Sequence, residues 1–157
     1  MRPTKGARAD TIVPMSNVWV WQEVLFKKAD TSPSPKVVPN LTDVAKVVAG
    51  RGSLIALQSD GTVQVWKAER DAFSDNGDGI PVATVVPNLT DVTDVFSADG
   101  ANYAIKSDGT LWAWGENHSG QLGDGTMEPR DTPVRVMNLN GVVSVTTEKS
   151  STFAVKT

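Results

Sequence analysis

The octapeptide VVPNLTDV occupies residues 37–44 and recurs unchanged at 85–92, an offset of 48 residues. The same offset carries SDGT from 59–62 onto 107–110, and TVQVW, ending at Trp66, onto TLWAW, ending at Trp114. A weaker third copy follows: VMNLNGV at 136–142 matches the octapeptide at an offset of 50, and FAVKT at 153–157 matches YAIKS at 103–107. Upstream, VWVW at 18–21 stands 93 residues before LWAW at 111–114. A chain duplicated at this period must build one unit several times and bury each unit against its neighbours, which points to propellers or helical arrays.

The content of each unit decides between them. Short runs rich in Val, Ile, Thr and Trp (TVQVW, VATVV, ANYAIK, TPVRV) alternate with Asp, Asn, Gly and Pro, and no ten-residue stretch carries a helical period. SDGT between apolar runs predicts a tight hairpin of type I′, which needs positive φ at both central positions. In TLWAW, Leu111 and Ala113 point to one side of a strand and Trp112 and Trp114 to the other; VWVW splits likewise into Val18 with Val20 and Trp19 with Trp21. A sheet apolar on both faces is what stacked blades require. The expected fold is all-β, made of four-stranded antiparallel β-propeller blades in an incomplete propeller of about three blades. In the best copy the strands are expected near 92–97, 102–107, 110–115 and 133–138. The expected division is a disordered tail over 1–10, a partial blade over 11–40, blades over 41–88 and 89–140, and the first two strands of a truncated blade over 141–157.

Composition narrows the function classes. Fifteen Lys and Arg against 18 Asp and Glu give a net charge of -3, no footprint for a nucleic-acid backbone. No apolar run approaches the roughly 20 residues that cross a bilayer, and MRPTKGARADTIVPM has no apolar segment behind its basic residues, so neither membrane insertion nor a signal peptide is expected. The absence of cysteine removes disulfides and thiolate sites but is compatible with either redox compartment, leaving localisation open, a secreted or surface protein included.

Residues 103–123, YAIKSDGTLWAWGENHSGQLG, followed by DGTMEPRDTPVRV, resemble the repeat of the regulator of chromosome condensation family: an Asp-Gly turn, a Trp-rich strand, a Gly-x-Asn-x-x-Gly-Gln-Leu-Gly loop and a Thr-Pro-x-x-Val strand. The resemblance is full for the blade over 92–140 and partial elsewhere. KAERDAFSDNGDGIP replaces the loop after Trp66, QEVLFKKADTSPSP replaces it after Trp21, and Ser53, Ala101 and Ser151 stand where the family carries a histidine. The resemblance implies a seven-bladed ring, roughly 350 residues at this period and more than this chain supplies. Two expectations follow: a fragment of a larger bacterial-type repeat protein, or self-association in which the C-terminal strand pair completes a blade with an N-terminal pair from another copy, giving a head-to-tail dimer of six blades.

Candidate chemistry is thin. His118 is the only histidine and, without cysteine, assembles no zinc site of the usual kind. Gly115, Gly120, Gly123 and Gly125 are not in a phosphate-binding order and read as turn formers, with Asn117, Gly120 and Leu122 knitting the loop together. SDNGDG at 74–79 lacks the Asp and Glu that an EF-hand needs at its ends. Sequons at Asn40, Asn88 and Asn117 are explained by blade turns. The tryptophans 19, 21, 66, 112 and 114 read as packing between blades rather than a sugar platform, and Glu116, Asp124, Glu128 and Asp131 as a solvated acidic loop rather than a glycosidase pair.

No catalytic, metal or cofactor residue is therefore assigned. The expected function is a non-catalytic protein-protein interaction module; a propeller-type hydrolase acting on glycans, and a structural or vestigial fragment without its own partner, are the alternatives. The resemblance implies uses as varied as nucleotide exchange on a small GTPase, β-lactamase inhibition and bacterial interaction repeats, and fold does not choose among them. The expected partner-binding loop comprises Glu116, Asn117, His118, Gln121, Asp124 and Arg130, with charge reversal at Asp124 and Arg130 expected to weaken binding without unfolding the chain.

Overall fold

The computed structural model describes residues 17–20, 36–37, 41–50, 53–67, 83–148 and 151–157. The expected tail over 1–10, Trp21, Asn40 and the 74–79 segment lie outside them. Twelve strands are present among the described residues, and no helix. Strands β1 (Trp19–Val20) and β2 (Lys36–Val37) form a two-stranded sheet. The next four, β3 (Val44–Gly50), β4 (Ser53–Gln58), β5 (Val63–Lys67) and β6 (Thr84–Val85), form one four-stranded sheet. A second comprises β7 (Val92–Ala98), β8 (Ala101–Lys106), β9 (Leu111–Gly115) and β10 (Arg130–Arg135), and β11 (Val142–Glu148) pairs with β12 (Ser151–Lys156). Every pairing is antiparallel between sequence neighbours, so each four-stranded sheet is an up-and-down meander, the blade of a β-propeller, and the propeller is incomplete. No helix among these residues is long and apolar enough to cross a membrane.

The repeat is reproduced to the residue. Val44 pairs with Gln58 and Lys46 with Leu57; Val92 with Lys106 and Asp94 with Ile105; Val142 with Lys156 and Ser144 with Val155. One extra residue therefore sits at the same point of the first strand in all three units, and such a bulge sharpens the local twist.

Side-chain alternation sets the packing. Leu111 and Ala113 join Tyr103, Ile105, Leu122, Val142 and Val145 on one face of the second sheet. Trp114 joins Ile55, Leu57, Val63, Val92 and Val95 on the other, between the two full sheets. The two-faced apolar strand expected for LWAW is what the core uses. Trp66 and Trp114 are buried, Trp112 packs at the margin of the core, and Trp19 is more than half exposed, a departure from the packing role expected of it. Between β3 and β7 the Lys46 ammonium lies 2.6 Å from Asp94 Oδ1 and over the Phe96 ring.

Two local expectations change. β10 runs over 130–135 rather than 133–138, because the Met137 amide turns away to donate to the Gly123 carbonyl at 2.9 Å. The SDGT turns are not type I′: positive φ is confined to Gly61 and Gly109. Gly61 N donates to Gln58 O and Gln58 N to Thr62 O, and the second turn repeats this between Lys106, Gly109 and Thr110. That is a type I turn closed by a left-handed glycine bulge. Asp60 and Asp108 each accept the amide two residues on, at 2.8 and 2.9 Å, and both carboxyls are held below their ordinary value, Asp60 chiefly by the Thr62 amide and Asp108 chiefly by the Thr110 hydroxyl. The two-residue turn with positive φ at both positions is instead Asp99–Gly100.

The duplicated turns also join one unit to the next. Val92 N donates to Gly61 O at 3.4 Å and Val142 N to Gly109 O at 2.9 Å. The chain approaches so closely there that a Cβ on Gly109 would sit 3.0 Å from Gly141 Cα, at φ +75. Gly109→Ala should therefore cost about 1–3 kcal/mol through left-handed strain and the lost approach; a denaturant midpoint unchanged from wild type would show that this junction does not hold the sheets together.

Candidate functional site

An antiparallel meander sends alternate connections to opposite ends of its sheet. The Asp99–Gly100 turn and the 116–129 loop share one end, where a Cβ on Gly100 would meet the Glu116 side chain. The SDGT turn and the 136–141 connection share the other. The 116–129 loop is the longest described connection and holds all six expected contact residues except Arg130, the first residue of β10.

Asn117 is the hub of the loop. It is wholly buried, its Oδ1 accepts the Leu122 amide at 3.0 Å, and its Nδ2 lies within 3.1 Å of the Thr126 and Glu128 carbonyls. One side chain thus satisfies backbone groups across eleven residues of loop that has no ladder partner, the condition for burying an irregular segment. Leu122, also fully buried, anchors the loop in the core between the second sheet and β11. Tyr103 pins it from below: its hydroxyl donates to the Gln121 carbonyl at 2.9 Å and lies 2.8 Å from Thr152 Oγ1 on β12, and burial pushes the phenol up from its ordinary value.

Asp124 makes the second hub. Its Oδ1 accepts the Thr126 amide and hydroxyl at 3.0 and 2.8 Å, and its Oδ2 accepts Arg130 Nε and Nη2 at 2.7 Å. Burial opposes ionisation, but the Thr126 hydroxyl, the Arg130 guanidinium and the Thr126 amide outweigh it, and the carboxyl is held at about 2. The Asp124 side chain is only 6% exposed against 36% for Arg130. Charge reversal at both positions therefore carries a structural cost, since it would place an unpaired cation in the largely covered site at 124, and Asn117, wholly buried, faces no solvent.

What faces outward is different. Glu116 and His118 are exposed, their carboxylate and Nε2 2.9 Å apart, and Gln121 is half-buried with its side-chain oxygen on the Ser119 amide. Met127 and Met137 are 68% and 56% exposed, the latter with its sulfur against Gly125. Neither methionine is among the contact residues expected from the sequence. Their signal, two isolated apolar residues flanked by polar ones outside the strand alternation, was present but indistinct from core. Among the described residues no cluster of three or more His, Cys, Asp or Glu is placed to hold a metal ion.

The division into frame and surface has a direct test. Asn117→Ala should lower stability by about 2–3 kcal/mol, since it strands several buried backbone groups, whereas His118→Ala should stay within about 0.5 kcal/mol of wild type; equal urea midpoints for the two would dissolve the distinction. A depressed carboxyl contributes stability above its unfolded value near 3.8, lost as pH falls toward the folded value of about 2. The margin in melting temperature of wild type over Asp124→Asn should therefore be full above about pH 4 and shrink steadily below it; a margin constant from pH 5 to 2 would remove the ionised carboxylate from the account.

The geometry has counterparts among known proteins. Family models of the regulator of chromosome condensation (RCC1) repeat match residues 108–155 and 92–121. No curated protein matches the chain. Among solved structures, human WBSCR16 is similar at 22% identity with a TM-score of 0.64, over 82% of this chain and 37% of that one. Prp20p from Saccharomyces cerevisiae, described with its binding to Gsp1p and histones, aligns at 15% identity and TM-score 0.62 over 78% of this chain and 34% of its own. Yeast RCC1 (Prp20), bound by Kap60, aligns at 17% and 0.64 over 89% and 37%. These identities show a shared fold, and the chain spans about a third of each of these proteins. With family models matched across residues 92–155 and four-stranded blades present in the fold, that part of the chain carries the regulator of chromosome condensation repeat.

Proposed function

We propose that this chain is a non-catalytic protein-interaction module, part of a longer bacterial repeat protein, and that the loop between β9 and β10 is its contact surface. The observation that carries the reading is the division of labour within the loop. Asn117, Leu122, Asp124 and Arg130 fix the backbone, and Glu116, His118, Gln121, Met127 and Glu128 are carried on that frame. A pre-ordered loop loses little conformational entropy on binding, and exposed thioethers adapt to a partner's shape.

The enzymatic alternative has less to stand on. The carboxylate with the largest shift among the described residues, Asp124, is consumed by Thr126 and Arg130, and the His118–Glu116 pair stands in open solvent. That Prp20p and yeast RCC1 are described with protein partners supports a protein partner for a propeller of this kind. The span of about a third of those chains supports a segment of something longer, and the octapeptide repeated unchanged at an offset of 48 residues supports an amplified array.

A photoreactive residue placed at His118, with Ser107 at the opposite end of the same sheet as control, tests the assignment. We expect protein adducts from position 118 that excess unmodified chain competes away and that Glu116→Lys with Glu128→Lys reduces at least fivefold. The same adducts from Ser107, or none from 118, would move the contact surface elsewhere.

A further inference from the structure

Met137 holds the contact loop through both its backbone and its side chain. Its amide donates to the Gly123 carbonyl at 2.9 Å, and its sulfur lies against Gly125, where a Cβ would stand 2.9 Å from Sδ. Val136 beside it covers Gly123 in the same way, with Cγ1 3.0 Å from the place of a Cβ. Both glycines have positive φ, +61 and +80, so the turn carries no side chain of its own there and the thioether fills the space. The residue after Gly125 is Thr126, whose amide donates to Asp124 Oδ1 at 3.0 Å. Met137 therefore covers the stretch of backbone that the Asp124 hub holds.

The same side chain is open to solvent. Met137 is 56% exposed, and Met127, two residues beyond Gly125, is 68% exposed. The exposure belongs to the connection itself: at the offset of 50 residues Met137 falls on Pro87, which is exposed although a complete four-stranded sheet lies on either side of it. Where that copy carries an inert ring, this one carries a thioether, a group that oxidants convert to sulfoxide.

We propose that Met137 is an oxidative modification site that controls the order of the 116–129 loop. The reactant is a two-electron oxidant of the peroxide class. The sulfur lone pair takes one peroxide oxygen, the O–O bond breaks, and the departing hydroxide collects the proton left on the transferred oxygen. Sulfur is thereby oxidised to the sulfoxide and peroxide leaves as water. A methionine sulfoxide reductase supplied with a dithiol reverses the change, yielding the thioether, a disulfide and water. A sulfoxide is polar where the thioether was apolar, and its oxygen needs a hydrogen-bond donor. The side chain then leaves Gly125 for water and uncovers the turn. Weaker partner binding by the loosened loop is a consequence that rests on the loop being the contact surface; the modification and the loosening do not depend on it.

Trypsin leaves Met127 and Met137 on separate peptides, 107–130 and 136–149, so mass spectrometry of the peroxide-treated chain reads each sulfoxide alone. Met137 should be oxidised within about tenfold of the rate of free methionine. Hydrogen exchange on the oxidised chain should then accelerate at least about tenfold at the Thr126 and Met137 amides while Ala104, in the core, is unchanged. Met137→Gln, polar like the sulfoxide, should show the same acceleration without peroxide, and Met137→Leu should exchange slowly before and after it. Slower oxidation than that, unchanged exchange after complete oxidation, or acceleration that persists in peroxide-treated Met137→Leu overturns the proposal. Adducts from position 118 should fall on oxidation, fall less in Met137→Leu, and return with the reductase; adducts undiminished on the oxidised chain overturn the control of binding. No adducts from position 118 before oxidation would sink the contact assignment alone and leave the exchange result standing.

Discussion

The structure depends on a hydrogen bond between turns rather than between strands: the carbonyl of a left-handed glycine in one unit accepts the first strand amide of the next. Gly61 meets Val92 in this way and Gly109 meets Val142. The bond works only because each donor strand leaves a turn that is itself left-handed, at Asp43, Asp91 and Gly141, whose carbonyls accept Ser59, Ser107 and Thr157 in turn. The duplicated SDGT and NLTD segments are the two sides of one junction. Once that junction sets the spacing, Val and Leu from one sheet and Trp from the next meet at core density, and the apolar area they remove from water supplies the bulk of the stability.

The loop at the other end of the second sheet follows a different logic. It has no strand to pair with, so its backbone groups are satisfied by two polar side chains, the buried Asn117 and the largely covered Asp124. A buried polar group of this kind is costly unless fully bonded, and once bonded it specifies a single conformation. The loop is therefore rigid for a reason unrelated to hydrophobic packing, and its outer residues vary without disturbing it. That separation lets propeller repeats carry different surfaces on one scaffold.

How far the sequence is legible follows from these two logics. The strands near 92, 102 and 111 are readable because period-two alternation and Asp-Gly punctuation are local signals. The end of the fourth strand is not, because the Met137 amide leaves the ladder for Gly123, a contact across fourteen residues that no local pattern announces. The turn type is misread for a similar reason. Asp-Gly permits two geometries, and the bond from Gly61 to Val92 of the next unit accompanies the bulged one. Asn117 is recognisable as loop framework, yet Asp124 and Arg130 read as surface charges, since burial of a carboxylate depends on which cation the fold brings to it.

By itself, then, the sequence determined the repeat, its β content, its two-faced strands and the family repeat that residues 92–155 resemble, because these depend on residue type and spacing within one unit. Only the tertiary structure decided which polar residues of the 116–129 loop are frame and which are surface, because solvation depends on neighbours distant in the chain. It also decided that Phe153 and Val155 stand exposed where Tyr103 and Ile105 are buried, because burial is a property of stacking and similar local patterns meet different neighbours.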